Sequence, residues 1–290
     1  MRKILTIAMA AVLAFGAFAM SGCGDKTFKG NYKTEATAEE VRTALTGIDL
    51  GSAAEQSGGF EMDFKLKLNT EMSMNAQGAS ISSESGMDYK GDLAVKAEGE
   101  TISGAGKISG KTTGEGKSSM NASMYIAGEF IYLDMKLTSG GQKLEQKIKM
   151  PLSLDGVIPF NALSAEAGDE ASSPSFDVEE LIAMMERGVK VYLDESDGTK
   201  IKISVTKEFL MEEIGEAGIT LSDAGVDIYV VLDENDALVG VKADMKIKGE
   251  TETSGMNMKI DLNFGVSVKS GDVKVALPSD LDSYPLGGLN

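Results

Sequence analysis

Hydrophobic and polar residues alternate with a period of two over long parts of this chain. From residue 60 to residue 75, one parity carries apolar side chains and Thr70, while the other carries charged residues, serine and asparagine. The alternation returns in shorter stretches between residues 87 and 150, and again over 256–268. A period of two places successive side chains on opposite faces of a strand, so these stretches predict long strands with one buried and one solvated face.

Short helices interrupt the strands. Thr37 and Glu40 form a capping-box pattern before a run of apolar residues at helical spacing. A second box at 177–180 opens a helix that Gly188 ends, and Thr206 caps a third helix. We expect roughly ten to twelve strands joined mostly by short turns. The pattern therefore predicts a mainly β (α+β) fold with a single large curved antiparallel sheet and three short helices.

Four segments have less regular patterns. The stretch at 103–119, rich in glycine, serine and lysine, is expected to be a flexible, edge-like part of the sheet, and 273–278 a last short strand. The acidic turns at 194–198 and 233–236 lack the spacing of a calcium-binding EF-hand. Aspartate, asparagine and glycine are also the residues that tight hairpins require, so turns are the better interpretation.

The first 23 residues have the pattern of a secretory signal. Arg2 and Lys3 precede an uncharged apolar stretch over 4–20, and small residues lead to Cys23, the single cysteine of the chain. A basic start, an apolar centre and a small-residue exit predict a signal peptide at 1–22. The ending resembles a bacterial lipobox, which implies a diacylglycerol on Cys23. An uncleaved transmembrane helix stays open, because 4–20 reaches the lower limit of a bilayer span.

Lipidation would fix the place of the protein in the cell. Two acyl chains give lasting membrane attachment, so a diacylglycerol on Cys23 would anchor the chain to a membrane of the cell envelope, outside the cytoplasm. Residues 23–35 are polar and aperiodic, and we expect them to carry the lipid anchor and a flexible spacer. Residues 36–290 are expected to form a single β-rich domain, most simply a monomer.

The composition excludes several classes of function. Removing residues 1–22 takes away two of the 28 basic residues and leaves 45 acidic ones, a net charge of −19 that disfavours nucleic acid and anionic lipid headgroups. The chain has no histidine, which excludes Ser-His-Asp and Cys-His catalysis and histidine metal sites. We expect no enzymatic activity and no cofactor or metal, although hydrolysis by carboxylates alone stays open.

Seventeen methionines are the unusual positive feature. Methionine adapts to irregular partners and is favoured on promiscuous apolar surfaces. A binding face of this kind would contain apolar side chains of the strands and of the second helix: Met62, Phe64, Leu66, Met72, Met74, Met120, Met124, Met135, Met256, Met258, Met184 and Met185. The alternative is that these residues form a sealed core, which the residues alone favour because most apolar faces are core.

The order of elements resembles a known class of proteins. A lipobox, a capped N-terminal helix, long antiparallel strands, two helices in the middle of the chain and a late hairpin at 226–242 resemble the LolA/LolB-like half-barrel lipoproteins, including the mycobacterial LppX/LprG group. The resemblance covers most of residues 36–284. It implies a half-barrel with helices on its concave apolar face and the carriage of lipids or lipidated proteins between membranes. The absence of tryptophan departs from that class.

Two functions remain in view. The resemblance implies a non-enzymatic lipoprotein that binds a lipid, an acyl chain or another apolar ligand in a methionine-rich cavity. The alternative is a structural or interaction lipoprotein with a dry core, whose acidic surface contacts an envelope protein or a cell-wall partner. A ligand carrier needs several hundred cubic ångströms of connected apolar space, and an interaction module needs none.

Overall fold

A computed structural model of the 290-residue chain describes residues 27–45, 59–76, 79–98, 101–152, 178–194, 196, 199–214, 219–235, 237–253 and 256–287. The predictions for the signal peptide, for Cys23 and for the N-cap of the second helix fall outside these residues. Among the described helices, none is both long enough and apolar enough to cross a bilayer.

Antiparallel strands form one large sheet, as the alternation predicts. In the described part of the chain it has eleven strands, in the spatial order β6-β5-β4-β3-β2-β1-β11-β10-β9-β8-β7. They are β1 Gly59–Ala76, β2 Ala79–Glu98, β3 Thr101–Thr113, β4 Ser118–Ala127, β5 Phe130–Ser139, β6 Gln142–Pro151, β7 Lys190–Asp194, β8 Thr199–Val205, β9 Ile219–Leu232, β10 Leu238–Thr253 and β11 Met256–Ser270. The sheet is open, since its outer strands β6 and β7 do not pair with each other.

The long central strands β1 and β11 define the two faces of the sheet. Their register runs without interruption from Phe60 opposite Ser270 to Met74 opposite Met256. Directly opposite residues lie on the same face, so the two apolar parities combine. We call this side the apolar face; it carries Met62 opposite Val268, Phe64 opposite Val266, Leu66 opposite Phe264 and Met72 opposite Met258. The other side, which carries Asp63 and Lys65, is the polar face.

Three short helices are present among the described residues, and the first and third have the predicted caps. They are α1 (Ala38–Leu45), α2 (Val178–Glu186) and α3 (Lys207–Ile214). At α1 the Glu40 carboxylate accepts the Thr37 backbone N–H at 2.7 Å, while the Thr37 hydroxyl accepts the Glu40 N–H at 3.3 Å. The Thr206 hydroxyl accepts the N–H of Phe209 at 3.4 Å. The side-chain oxygens thus satisfy N–H groups that a first helical turn leaves free.

The helices cover one half of the apolar face. Val41 of α1, Leu181 of α2 and Phe209 of α3 are each at most 1% exposed and belong to one buried cluster with side chains of β7–β11. A second, much smaller cluster lies on β2–β5 around Val95 and Ile126. The α-helices contribute to the first cluster and not to the second. The hydrophobic core is therefore concentrated over β7–β11.

β3 corrects the expectation of an edge-like segment, because it lies inside the sheet between β2 and β4. Its glycines leave room for side chains of the neighbouring strands. A Cβ on Gly106 would lie 2.5 Å from the carbonyl oxygen of Asp92, and one on Gly110 would overlap the ring of Tyr89. Glycine in a strand often marks such a close approach. The composition of β3 thus fits its interior position.

The segment before α1 is docked on the sheet, which differs from the expected flexible spacer. Phe28 is 6% exposed and lies over Gly240, where a Cβ would come within 3.1 Å of its ring. The ring of Tyr32 packs edge-on against Tyr229 at 5.8 Å between centroids, and burial raises the pKa of Tyr32 to about 12. A spacer in this region is therefore restricted to residues before Phe28.

Asp194 fixes this N-terminal segment in a way that predicts pH dependence. Its carboxylate accepts the Ser196 hydroxyl at 2.7 Å and the Asn31 backbone N–H at 2.6 Å, and these hydrogen bonds hold its pKa below the ordinary value of 3.8. A lowered pKa means that the contact contributes fully above the ordinary value and is lost as pH falls through the folded value. We expect docking to weaken below about pH 4.

Asp194→Asn tests this contact at neutral pH. We expect faster amide hydrogen exchange over 28–33 and faster tryptic cleavage after Lys29 and Lys33, because an amide oxygen is a weaker acceptor than a carboxylate. Asp233→Asn is the matched control, since Asp233 accepts the backbone N–H groups of Asn235 and Ala237 in the β9–β10 turn and forms no hydrogen bond with the described residues of the N-terminal segment. Equal protection of 28–33 in both variants would contradict the assignment.

Chain segments also cover both edges of the sheet. The Ala36 N–H donates to the Val191 carbonyl on β7 at 2.7 Å. On β6, the Lys149 N–H donates to the Pro285 carbonyl, and the Gly287 N–H donates back to the Lys149 carbonyl, each at 2.8 Å. Covering an edge blocks further strand pairing. Residues 273–278, predicted as a strand, pair with none of the described strands and lead instead to a 3₁₀ helix at Leu281–Ser283.

Candidate ligand-binding face

The predicted site residues fall into three different surroundings on the apolar face. Those near the helices pack against the buried cluster over β7–β11: Met62, Phe64, Met184 and Met185. Met124 packs against the smaller cluster on β2–β5. The others lie outside both clusters: Leu66, Met72, Met74, Met120, Met135, Met256 and Met258. The structure therefore divides the predicted set into core residues and residues that helices do not cover.

Exposed methionines gather at one end of the apolar face. Met72, Met74, Met87 and Met256 are 41, 38, 46 and 38% exposed, and Ile81 is 57% exposed. Register places Met74 opposite both Met256 and Ile81. We call these five residues the methionine end. Met87 and Ile81 were missed at the sequence level, although their parity on β2 matches that of the methionines on β1.

Four residues of the methionine end belong to a projecting part of the sheet, and Met87 lies just before it, opposite Thr112 of β3. The β1–β2 pairing continues to Ala76 opposite Ala79, whereas the β2–β3 pairing stops at Gly86 opposite Thr113. The seven residues from Ala79 to Ser85 therefore extend beyond β3, by about 23 Å at 3.3 Å per residue. Their neighbours on the apolar face are uncharged, among them Thr70, Ser83 and Ile260. The end thus presents apolar side chains without a charge among them.

Aromatic rings cover the glycines closer to the centre of this face. A Cβ on Gly91 would overlap the ring of Phe64, just as one on Gly110 would overlap Tyr89. Each ring lies over a directly opposite glycine of the next strand, an arrangement that stabilises strand pairs. The two rings fill the space beside these glycines, which the glycine residues alone would suggest is empty.

The polar face carries two cavities that were not anticipated. One, of about 390 Å³, crosses β1–β5, and the other, of about 660 Å³, lies between β2 and β9. Charged side chains of the polar face line both, and Lys65 and Lys90 belong to both. Of the predicted site residues they include Phe64 and Leu66 and no methionine of the set. These cavities differ from the expected methionine-lined one.

Ion pairs organise much of the polar face around the larger cavity. Lys246 pairs with Asp223 and lowers the pKa of that carboxyl, while Lys202 pairs with Asp227 at 3.0 Å. Lys248 pairs with Asp261 at 2.8 Å and likewise lowers its pKa. These pairs are partly or largely solvent-exposed and stabilise the fold only slightly. Among the described residues, no group of three acidic or cysteine side chains is arranged to hold a metal ion.

No protein-family model and no curated protein matches this chain. Among solved structures, it is similar to the translocator domain of the autotransporter NalP from Neisseria meningitidis, at 8% identity over 84% of this chain and 99% of that one, with a TM-score of 0.20. The chain is also similar to a β-barrel-like protein of a domain of unknown function from Brucella abortus. The identity is 8% over 72% of this chain and 98% of that one, with a TM-score of 0.17.

A LolA superfamily protein from Nitrosomonas europaea gives 10% identity, 84% and 96% coverage, and a TM-score of 0.13. Scores this low identify neither a family nor a function. Of the predicted half-barrel, the structure supports the coarser description, which is a large open antiparallel sheet with three short helices.

Proposed function

We propose that this protein is a membrane-anchored lipoprotein of the cell envelope that binds an acyl chain on the uncovered part of its apolar face. The observation that carries the proposal is the methionine end, where four methionines and an isoleucine are each more than a third exposed. Soluble proteins rarely expose contiguous apolar patches, and larger ones mark binding surfaces. Anchoring by Cys23 would supply the membrane that contains the ligand.

An acyl chain fits this surface better than a folded partner does. The face is uncharged along its projecting strands, whereas the mature chain is strongly acidic, so the surface selects for an apolar and uncharged group. Methionine side chains adapt to a ligand without a fixed shape. Burial of apolar area would contribute about 25 cal/mol per Å² before the cost of ordering the chain.

The covered half of the sheet takes no part in this proposal. Val41, Leu181 and Phe209 seal the apolar face over β7–β11, which agrees with the alternative of a dry core for that half. Met62, Met184 and Met185 are therefore assigned to packing. Binding is confined to the strands that the helices leave open.

Met72→Ser combined with Met256→Ser tests the proposal. We expect about tenfold less lipid in organic extracts of the full chain purified from bacterial membranes, because two apolar contacts are lost. Mass spectrometry of the extracts measures the lipid per protein. Covalent lipid on Cys23 would remain with the protein and would not enter the count.

The matched control is Leu277→Ser combined with Leu286→Ser, which removes two side chains that are 40 and 74% exposed outside the methionine end. The control should retain the lipid of the unsubstituted protein. Equal lipid in the methionine variant and the control would contradict the proposal and favour an interaction lipoprotein.

A further inference from the structure

Two lysines stand directly opposite each other at the centre of the polar face. Register places Lys65 of β1 opposite Lys90 of β2, and both line the two cavities. Directly opposite residues have Cβ atoms about 5 Å apart, and like charges at that distance destabilise a strand pair. In a chain with 45 acidic and 28 basic residues, such a pair needs a compensating partner.

Two of the lysines that line the cavities form ion pairs, whereas the others form none in the described part of the chain. Lys246 and Lys136, which also line the cavities, pair with Asp223 and Glu145. Four of the six lysines that line the cavities form no ion pair with a described residue: Lys65, Lys67, Lys90 and Lys107, all of them exposed. Their ammonium groups are therefore available to a ligand.

The surroundings leave room for that ligand. Gly265 lies opposite Lys65 on β11, and Ser109 lies opposite Lys90 on β3. Both residues line a cavity. Ser109 is a small neighbour of Lys90, whereas the Asp244 carboxylate lies over Gly265, with its Oδ1 3.1 Å from the position that a Cβ would take. Ser109 and Asn121 add hydroxyl and amide donors to the smaller cavity.

Carboxylates restrict where an anion can sit. Asp92 lies opposite Asp63, one step along the polar face from the lysine pair, and Asp88 lies opposite Lys67 on its other side. An extended polyanion lying along β2 would meet Asp88 and Asp92, whereas a compact anion between the two lysines would avoid both. The charge must therefore be concentrated in one group.

The geometry points to a binding site for a phosphate group between Lys65 and Lys90, with Lys67 and Lys107 at its flanks. Two ammonium groups are neutralised by a group with close to two negative charges, which a phosphate monoester carries and a single carboxylate does not. Lysine binds phosphate as a compact point charge with three donors. This site lies on the side of the sheet opposite the methionine end and does not depend on the acyl ligand.

Inorganic pyrophosphate is the probe for this site. We expect the full chain, purified in neutral detergent at low ionic strength, to bind it in isothermal titration calorimetry and to melt at a higher temperature in its presence. Lys65→Gln combined with Lys90→Gln should weaken binding at least about tenfold, because charge-assisted hydrogen bonds are lost. Without the probe this variant should melt no lower than the unsubstituted protein, since the repulsion is gone.

Lys117→Gln combined with Lys143→Gln is the matched control, because it removes the same charge from exposed positions outside both cavities. The control should retain pyrophosphate binding, and so should Lys65→Arg combined with Lys90→Arg, which keeps both positive charges. Absence of pyrophosphate binding to the unsubstituted chain, or equal weakening in the control, would overturn the proposal. A parallel titration with inorganic polyphosphate tests the compact geometry of the site. We expect weaker binding of the polymer per phosphate group, and tighter binding would overturn the proposal, because an extended polyanion along β2 would meet Asp88 and Asp92.

Discussion

Phe209→Ala is expected to lower the free energy of unfolding by about 3–5 kcal/mol. Phe209 is 1% exposed on α3 and belongs to the cluster between the helices and β7–β11. The Arg187 guanidinium lies over the Phe209 ring, 4.8 Å from its centroid. Truncation would leave a cavity between α3 and the sheet and would also remove this cation–π contact. Urea denaturation of the full chain, followed by circular dichroism, measures the loss.

Glu208→Ala is the control for this change, because Glu208 is exposed on the same helix. We expect its effect to stay within about 0.5 kcal/mol. A loss below about 1 kcal/mol for Phe209→Ala would mean that α3 does not seal the apolar face. Such a result would contradict the proposal that binding is confined to the strands that the helices leave uncovered.

Gly106→Ala is expected to lower the free energy of unfolding by about 1–3 kcal/mol. Its added Cβ would lie 2.5 Å from the carbonyl oxygen of Asp92 and 3.1 Å from the Cα of Leu93. Both are backbone atoms of β2, so relief requires the β2–β3 ladder to shift. The same denaturation experiment measures this effect.

Gly225→Ala is the matched control on β9, where the nearest atom to an added Cβ is the Val205 carbonyl oxygen at an ordinary 3.6 Å. It should be neutral or slightly stabilising, because alanine reduces the conformational entropy of the unfolded chain. Equal effects at both positions would contradict the interior placement of β3 and the close packing on the apolar face.

The strongest sequence signals predicted the architecture correctly. The alternation in β1 and β11 predicted which side chains of each strand share a face. That these two strands pair with each other at the centre of the sheet is seen only in the structure. Thr37 with Glu40 marked the start of α1, and Thr206 that of α3, because capping is a local interaction of residues close in sequence.

Features that depend on distant partners could not be predicted in the same way. The docking of Phe28 requires Gly240, more than two hundred residues away, so the polar segment around Phe28 was interpreted as a spacer. The glycines of β3 indicated flexibility because the ring of Tyr89 that covers Gly110 belongs to another strand. Composition alone does not identify which neighbouring side chain fills the space beside a glycine.

The division of the binding face is a further tertiary property. Met62 and Met72 share one strand parity, yet Met62 packs against the core under the helices and Met72 is 41% exposed. Periodicity predicts which face of a strand a side chain lies on. It does not predict how much of that face the helices cover. The lysine pair at 65 and 90 was likewise hidden, since its two members become neighbours only through the register of β1 and β2.

The most direct test of the proposed function maps where an acyl chain contacts the protein. Cells that express the full chain would be given a photoactivatable fatty acid and then irradiated. Mass spectrometry would identify the crosslinked peptides. We expect crosslinks on β1, β2 and β11 around Met72, Ile81 and Met256, separate from any lipid on Cys23. Crosslinks confined to other surfaces, or none beyond the N-terminal peptide, would contradict the proposed function.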